Sequence, residues 1–200
     1  MNYIDFIQGF VIGLSLIIAI GPQNLFVIQQ GLKKNYIFIV CLICSFSDSI
    51  LVIFGIILSS YIASISPIFV LILKLTGGLW LILYGILKIR NSFKKDYQLN
   101  ENHNKLITNV ILTTLFLTYA NPHVYLDTIV LIGAISQNFN NKVSFGLGVI
   151  ASSFLFFYSL GYFSKYLGQF IKNKKTWLWI DNIFGILMIC YGVLFVSTIF

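Results

Sequence analysis

Residues 119–131 have the sequence YANPHVYLDTIVL, which places an Asn-Pro step, a histidine and an aspartate inside a long apolar run. A proline within a helix removes one backbone donor and clashes with the carbonyl four residues earlier, so a helix is expected to break at Asn121-Pro122. Polar groups in apolar surroundings are costly unless they are hydrogen-bonded. The stretch therefore predicts a buried, interrupted helix, and the fold must provide partners for its polar groups.

The rest of the chain is equally apolar. Of its 200 residues, 58% are hydrophobic and 10% are charged, whereas soluble domains are about a quarter charged. Apolar runs of about 20 residues recur, the length needed to cross the hydrocarbon of a bilayer. The N-terminal MNYIDFIQGF has no basic region and predicts a retained first helix, not a signal peptide. We expect one transmembrane domain, residues 1–200, with an all-α fold.

Six membrane-spanning helices are predicted, with short connections except for the polar segment 90–106. Their approximate ranges are 4–30, 36–60, 67–89, 107–135, 143–171 and 177–199. With this topology, eleven of the thirteen lysines and arginines fall on one side, and only Lys74 and Lys142 fall towards the other. Because basic loops stay in the cytoplasm, 90–106 is predicted to be cytoplasmic and both termini external. A re-entrant first segment would move the N-terminus to the other side.

The two halves of the chain resemble each other. GLWLILYGIL (78–87) and GILMICYGVL (185–194) share Gly, Tyr and Gly at the same spacing, and IGPQN (20–24) and ANPHV (120–124) each hold the interior proline of their helix. A repeated unit of three helices reverses its direction, so a 3+3 inverted repeat of 1–89 and 107–200 is predicted, with helices 1 and 4 broken. Such paired interruptions are typical of transporter sites near the bilayer midplane. The alternative is that the glycines only allow helices to approach closely.

A broken helix creates a new N-terminus with free N–H groups, which is a site for a carboxylate. Neighbouring amides, a histidine and a tyrosine could add hydrogen bonds, whereas the alternative is a purely structural kink. The predicted substrate-binding residues are Gly21, Pro22, Gln23, Asn24, Asp48, Asn121, Pro122, His123, Tyr125 and Asp127.

Asp48 and Asp127 lie in predicted spans, where a carboxylate costs about 3 kcal/mol and marks an ion or substrate path. Lys74 is the only lysine deep enough to neutralise them. An interior acid without a cationic partner holds a proton or a cation, so both are predicted to couple transport to protons. The alternative is that they remain neutral and hydrogen-bond nearby serines.

Other polar residues predict more ordinary roles. Asp181, near Lys174 and Lys175, is expected at a helix start or in an interfacial ion pair, Asp5 in solvent and His103 in the exposed loop. The cysteines Cys41, Cys44 and Cys190 lie in apolar spans and are expected to pack. No metal site, cofactor or nucleic-acid partner is predicted, and the net charge of +7 is attributed to membrane topology.

The chain resembles the LysE/ArgO family of bacterial lysine and arginine exporters. The motifs that carry the resemblance are AIGPQNLFVIQQGL, CSFSDSILVIFG, GGLWLILYG and NPHVYLDTIVLIG, in this order along the chain. The resemblance implies a permease of the bacterial inner membrane that exports basic amino acids in exchange for protons, and the family's intramembrane acids fall on Asp48 and Asp127. Leu25 is a departure, since family members often have a small residue there.

The resemblance and the residues agree on function. A basic amino acid has one carboxylate and two cations, which match helix N-termini and two acids. The predicted function is therefore export of lysine or arginine by alternating access, with the bilayer, protons and the amino acid as partners and with homo-oligomers left open. The alternatives are export of neutral amino acids or another small cationic solute, or an intramembrane enzyme built on His123 and Asp127. The enzyme would need a nucleophile or metal that the sequence does not offer.

Overall fold

The computed structural model describes residues 2–18, 21–58, 67–94, 106–170 and 174–197, and within these ranges the protein is helical and contains no strand. The α-helices are α1 (Tyr3–Ile17), α2 (Pro22–Leu32), α3 (Ile37–Leu58), α4 (Pro67–Lys94), α5 (Ile107–Tyr119), α6 (Pro122–Tyr125), α7 (Ile132–Ser136), α8 (Lys142–Gly168) and α9 (Lys174–Ser197). A π-helical segment, Leu126–Leu131, joins α6 to α7.

Two prolines interrupt the chain within the first and fourth predicted helices, 4–30 and 107–135, both of which the sequence predicts to be broken. α1 ends at Ile17 and α2 begins at Pro22, and the axes of the two helices differ by 83°. In the same way α5 ends at Tyr119 and α6 begins at Pro122. Proline suits the first position of a helix because its fixed φ is helical and an N–H there has no intrahelical partner. The residue before a proline avoids the helical conformation, so the preceding helix stops.

The helices pack in pairs. α1 and α2 both pack against α8, and α3 packs against α5, α7 and α8. α4 packs along α9. The α4–α9 pair is in backbone contact: a Cβ added at Gly85 would come 2.5 Å from the carbonyl oxygen of Gly185, and one added at Gly192 would come 2.6 Å from that of Gly78. Glycines at these positions therefore allow an approach that larger side chains would prevent.

The distribution of polarity is that of a membrane protein. α3 buries Ser45, Ser49 and Asp48 inside the bundle and exposes Phe46 and Ile57 on its outer face. By length and composition, α3 and α8 can each cross a membrane, and α1 with α2 makes a third span if the bent pair counts as one. This finding covers only the described residues, and the number of six spans stays a prediction.

The prediction that Asp5 lies in solvent is wrong. Its side chain is buried, and Oδ2 accepts hydrogen bonds from the Asn2 side-chain amide at 2.9 Å and from the backbone N–H of Asn141 at 3.0 Å. The start of α1 packs against the start of α8, which encloses the carboxylate. Asp5 thus joins the two helices.

Some predicted boundaries also differ. The helix predicted to end at residue 89 continues to Lys94, and the predicted helix 107–135 consists of α5, α6, the π-helical segment and α7. His103 and most of the predicted loop, residues 95–105, lie outside the described residues. Cys41 and Cys44 are fully buried, as packing residues would be, whereas Cys190 is exposed.

Candidate functional site

A cavity of about 250 Å³ lies between the two helix breaks. Residues from both halves of the chain line it, and seven of the ten predicted binding residues are among them: Gly21, Pro22, Gln23, Asn24, Asp48, Asn121 and Asp127. The two breaks face each other, because a Cβ added at Gly21 would lie 3.8 Å from the amide nitrogen of Asn121. Tertiary packing therefore brings together two motifs that are about a hundred residues apart in the sequence.

Asp48 projects into the cavity from the middle of α3. The Ser153 hydroxyl on α8 lies 3.5 Å from Oδ2, at the limit of a hydrogen bond, and the Gln23 side chain is adjacent. Ser45 and Ser49 of α3 do not donate to Asp48, since their hydroxyls donate to carbonyls of their own helix at 2.8 and 2.7 Å. Among the described residues, no lysine or arginine forms an ion pair with Asp48. This carboxyl group can therefore receive a proton or a cationic ligand.

Asp127 reaches the same cavity from the π-helical segment, close enough to interact electrostatically with Asp48. In a π-helical turn the hydrogen bonds span five residues, and such turns occur frequently at functional sites. The sequence pattern does not indicate this geometry, because an apolar run with one aspartate is equally compatible with an α-helix. Two carboxyl groups that share one small cavity repel each other when both are charged, which favours the binding of cations.

Side chains span both breaks. The Asn24 amide donates to the Ile17 carbonyl oxygen at 3.0 Å, and the Tyr125 hydroxyl donates to the Tyr119 carbonyl oxygen at 2.7 Å. Each bond satisfies a carbonyl at the end of the helix before the break. Tyr125, predicted to bind substrate, is not among the residues that line the cavity. Its observed hydrogen bond stabilises the break.

The Gln23 side chain contributes a hydrogen-bond donor to the site. Its side chain lines the cavity beside Asp48 and Cys44, and among the described residues its buried Nε2 atom lies within hydrogen-bonding geometry of no acceptor. A buried donor without an acceptor costs about 1–3 kcal/mol. A ligand with an acceptor group would remove this cost, so Nε2 is suited to bind a carboxylate.

Several lining residues were not predicted from the sequence. They include Thr128 beside Asp127, Ser153 on α8 and Tyr191 on α9. Tyr191 was noticed only as part of the repeat, and Ser153 carries no motif. Their roles depend on helix packing, which the sequence pattern does not reveal. Nothing is described of the side chains of Pro122, His123 and Lys74, so predictions about them lie outside the described residues.

Asp181, like Asp5, is a buried acid that lies away from the cavity. Asp181 on α9 forms an ion pair with Lys33, whose Nζ is 2.8 and 3.0 Å from the two carboxylate oxygens. The Gln29 amide also donates to it at 2.7 Å. An ion pair was one of the two predicted roles for Asp181, but its partner is Lys33, directly after the end of α2, and not one of the neighbouring lysines, Lys174 and Lys175.

Comparisons with known proteins show the family of the chain. Residues 14–198 match the family model described as LysE type translocator. The arginine exporter protein ArgO of Serratia proteamaculans (strain 568) is 31% identical over 187 residues, 92% of this chain and 91% of that protein. ArgO of Klebsiella pneumoniae (strain 342) is 32% identical over 92% of this chain and 89% of its own length. The protein named putative amino-acid transporter YggA of Aeromonas salmonicida is 32% identical over 92% of this chain and 91% of its own length. No solved structure matches the chain.

Proposed function

The chain belongs to the LysE type translocator family, and from this premise we propose that it exports basic amino acids, arginine or lysine, across the bacterial inner membrane in exchange for protons. The observation that carries the proposal is one cavity that holds two carboxyl groups and an unpartnered amide donor. A basic amino acid has two cations and one carboxylate. A neutral amino acid has a single cation and could match only one of the two acids.

The hydrogen-bond donors and the carboxyl groups of the cavity together favour one orientation of the substrate. The substrate carboxylate meets Gln23 Nε2 and the N–H groups at the start of α2, where the helix dipole favours an anion. The α-ammonium and the side-chain cation meet Asp48 and Asp127. The ammonium of lysine is a compact point charge, whereas the guanidinium of arginine binds a carboxylate through two parallel hydrogen bonds.

Alternating access between two inverted repeats would move the substrate. An offset of 107 residues takes Gly78 to Gly185 and Gly85 to Gly192. The two close contacts between α4 and α9 join Gly85 to Gly185 and Gly78 to Gly192. The same offset maps each of these contacts onto the other. The packing of α1 and α2 on α8 likewise has a counterpart in the packing of α5 and α7 on α3. These correspondences support a 3+3 repeat whose halves rock about the α4–α9 contact.

Exchange with protons follows from the charge of the substrate. Moving one positive charge outward against an inside-negative potential costs about 2.3 kcal/mol per 100 mV. Returning one proton for each monovalent cation cancels this electrical cost. Because Asp48 and Asp127 can each hold either a proton or an ammonium group, the same two residues would couple the opposite flows. In this scheme the basic ends of the helices face the cytoplasm and both termini face outward.

The test is exchange by the purified protein in liposomes. Vesicles loaded with labelled arginine are placed in buffer of lower external pH, and efflux is followed with and without the gradient. We expect the gradient to accelerate efflux, and we expect external lysine or arginine, but not leucine or threonine, to exchange with the label. Efflux that ignores the gradient would overturn proton coupling, and equal exchange with leucine would overturn the preference for basic amino acids.

A further inference from the structure

The ion pair between Lys33 and Asp181 connects two helices that also line the cavity. α2 contributes Gln23 to the cavity at its start and Lys33 follows its end, while α9 contributes Tyr191 to the cavity and Asp181 ten residues earlier. At about 1.5 Å per residue, each helix places the ion pair about 15 Å from the cavity. The two helices therefore meet at the cavity and again at the ion pair.

Buried apolar side chains lie along both helices between the cavity and the ion pair. Val27 stands between Gln23 and Lys33 in the sequence, and Met188 stands between Asp181 and Tyr191. Both are buried in one hydrophobic cluster that also holds Cys41 and Leu117. Residues that line the cavity come from the opposite part of the bundle, such as Ile132 of α7 and Val149 near the start of α8. In the orientation proposed above, the cluster and the ion pair separate the cavity from the cytoplasm.

The ion pair has no counterpart in the other half of the sequence. The offset of 107 residues that matches the glycines takes Asp181 back to Lys74, and the offset of 100 residues that matches the prolines takes Lys33 to Gly133. Among the described residues, the only side-chain ion pair is therefore at one end of the repeat. An attraction that acts in only one of the two closed ends stabilises one of the two alternating states relative to the other.

We propose that Lys33, Gln29 and Asp181 form a gate that keeps the cytoplasmic end closed while the cavity faces outward. The proposal rests on the transport function proposed above. Opening this end requires α2 to move away from α9, which separates Lys33 from a buried carboxylate that also accepts from Gln29. Loss of one partner of a buried ion pair is strongly destabilising, so either single substitution should destabilise the closed state relative to the open one.

Native cysteines report on the gate without a transport assay. Cys41 and Cys44 are buried beneath the cavity, whereas Cys190 is exposed and is replaced by serine in the parent protein. A membrane-impermeant maleimide is applied to inverted vesicles, which expose the cytoplasmic face. We expect Lys33→Ala and Asp181→Asn to speed labelling of the buried thiols about tenfold or more, as loss of one partner of a buried pair predicts. The exchanged pair, Lys33→Asp with Asp181→Lys, should restore slow labelling.

Lys34→Ala is the matched control, because Lys34 is the exposed neighbour of Lys33 and forms no ion pair with Asp181 in the described residues. Unchanged labelling in both single variants would overturn the gate, as would equally fast labelling in Lys34→Ala or in the exchanged pair. Fast labelling from both membrane faces would also overturn it, since general unfolding has no side. Arginine exchange in the parent protein is measured separately, so a failed gate and a failed transport function give different results.

Discussion

The two helix breaks are stabilised in the same way but present different functional groups to the cavity. Each begins a helix at proline, and each satisfies a carbonyl of the preceding helix through a side chain, Asn24 at the first break and Tyr125 at the second. The first break bends the chain by 83° and presents the amide of Gln23. The second continues through the π-helical segment and presents Asp127. One break therefore supplies donors for an anion and the other an acceptor for a cation.

The largest expected effect comes from removing a charge. Asp127→Asn at the second break and Asp48→Asn beside the first should each reduce arginine exchange in liposomes at least about a hundredfold, because truncating one member of a buried charge pair costs about 2–5 kcal/mol. Both variants should still insert and purify, since a neutral amide is cheaper to bury than a carboxylate.

Asp5→Asn is the control for this comparison. Asp5 is also a buried acid, but it joins α1 to α8 outside the cavity. This variant should lower the free energy of unfolding and leave the apparent affinity for arginine unchanged. Substantial exchange by Asp48→Asn or Asp127→Asn would show that the cavity does not bind the substrate cations through these residues.

A smaller effect is expected at the donor of the first break. Gln23→Leu removes the Nε2 donor proposed for the substrate carboxylate. Hydrogen bonds to charged groups contribute about 1.5–3 kcal/mol, so the apparent affinity for arginine should fall about tenfold to a hundredfold. Stability should change little, because Nε2 has no hydrogen-bond partner in the part of the chain that the structure describes.

Gln30→Leu is a matched variant on the same helix. Gln30 is also buried with one unpartnered polar atom, Oε1, but it does not line the cavity. Binding is measured by arginine-dependent thermal stabilisation of the detergent-solubilised protein. Equal losses of affinity in the two glutamine variants would contradict a specific role for Gln23.

The smallest effects are expected for Asn24 and Tyr125, whose side chains span the two breaks, and they should differ between these two residues. Tyr125→Phe removes one neutral hydrogen bond and should lower the free energy of unfolding by about 1 kcal/mol, with unchanged affinity. Asn24→Leu should cause a similar loss of stability and also weaken arginine binding, since Asn24 lines the cavity. Denaturant unfolding and arginine titration of both variants measure the two quantities. A loss of affinity in Tyr125→Phe would instead support the predicted contact of Tyr125 with substrate.

Much of the site could be predicted from local sequence. Proline inside an apolar helix has few structural outcomes, so Gly21-Pro22 and Asn121-Pro122 identified the breaks, and the expense of a buried carboxylate identified Asp48 and Asp127. The prediction for Asp5 was wrong because its partners, Asn2 and Asn141, are joined only by the packing of α1 on α8. Asp181 likewise pairs with Lys33, directly after α2. The lysines close to Asp181 in the sequence could not indicate this partner.

The sequence by itself determined the apolar helical class, the two interruptions and the family, because these follow from hydrophobicity, proline stereochemistry and ordered motifs. Only the tertiary structure decided that both breaks face one cavity, that Ser153 and Tyr191 join it, and that Lys33 meets Asp181 at a distance from it. The physical reason is that backbone preferences act between neighbours in the chain. Which distant side chains meet depends on how closely whole helices pack, as at the glycines of α4 and α9.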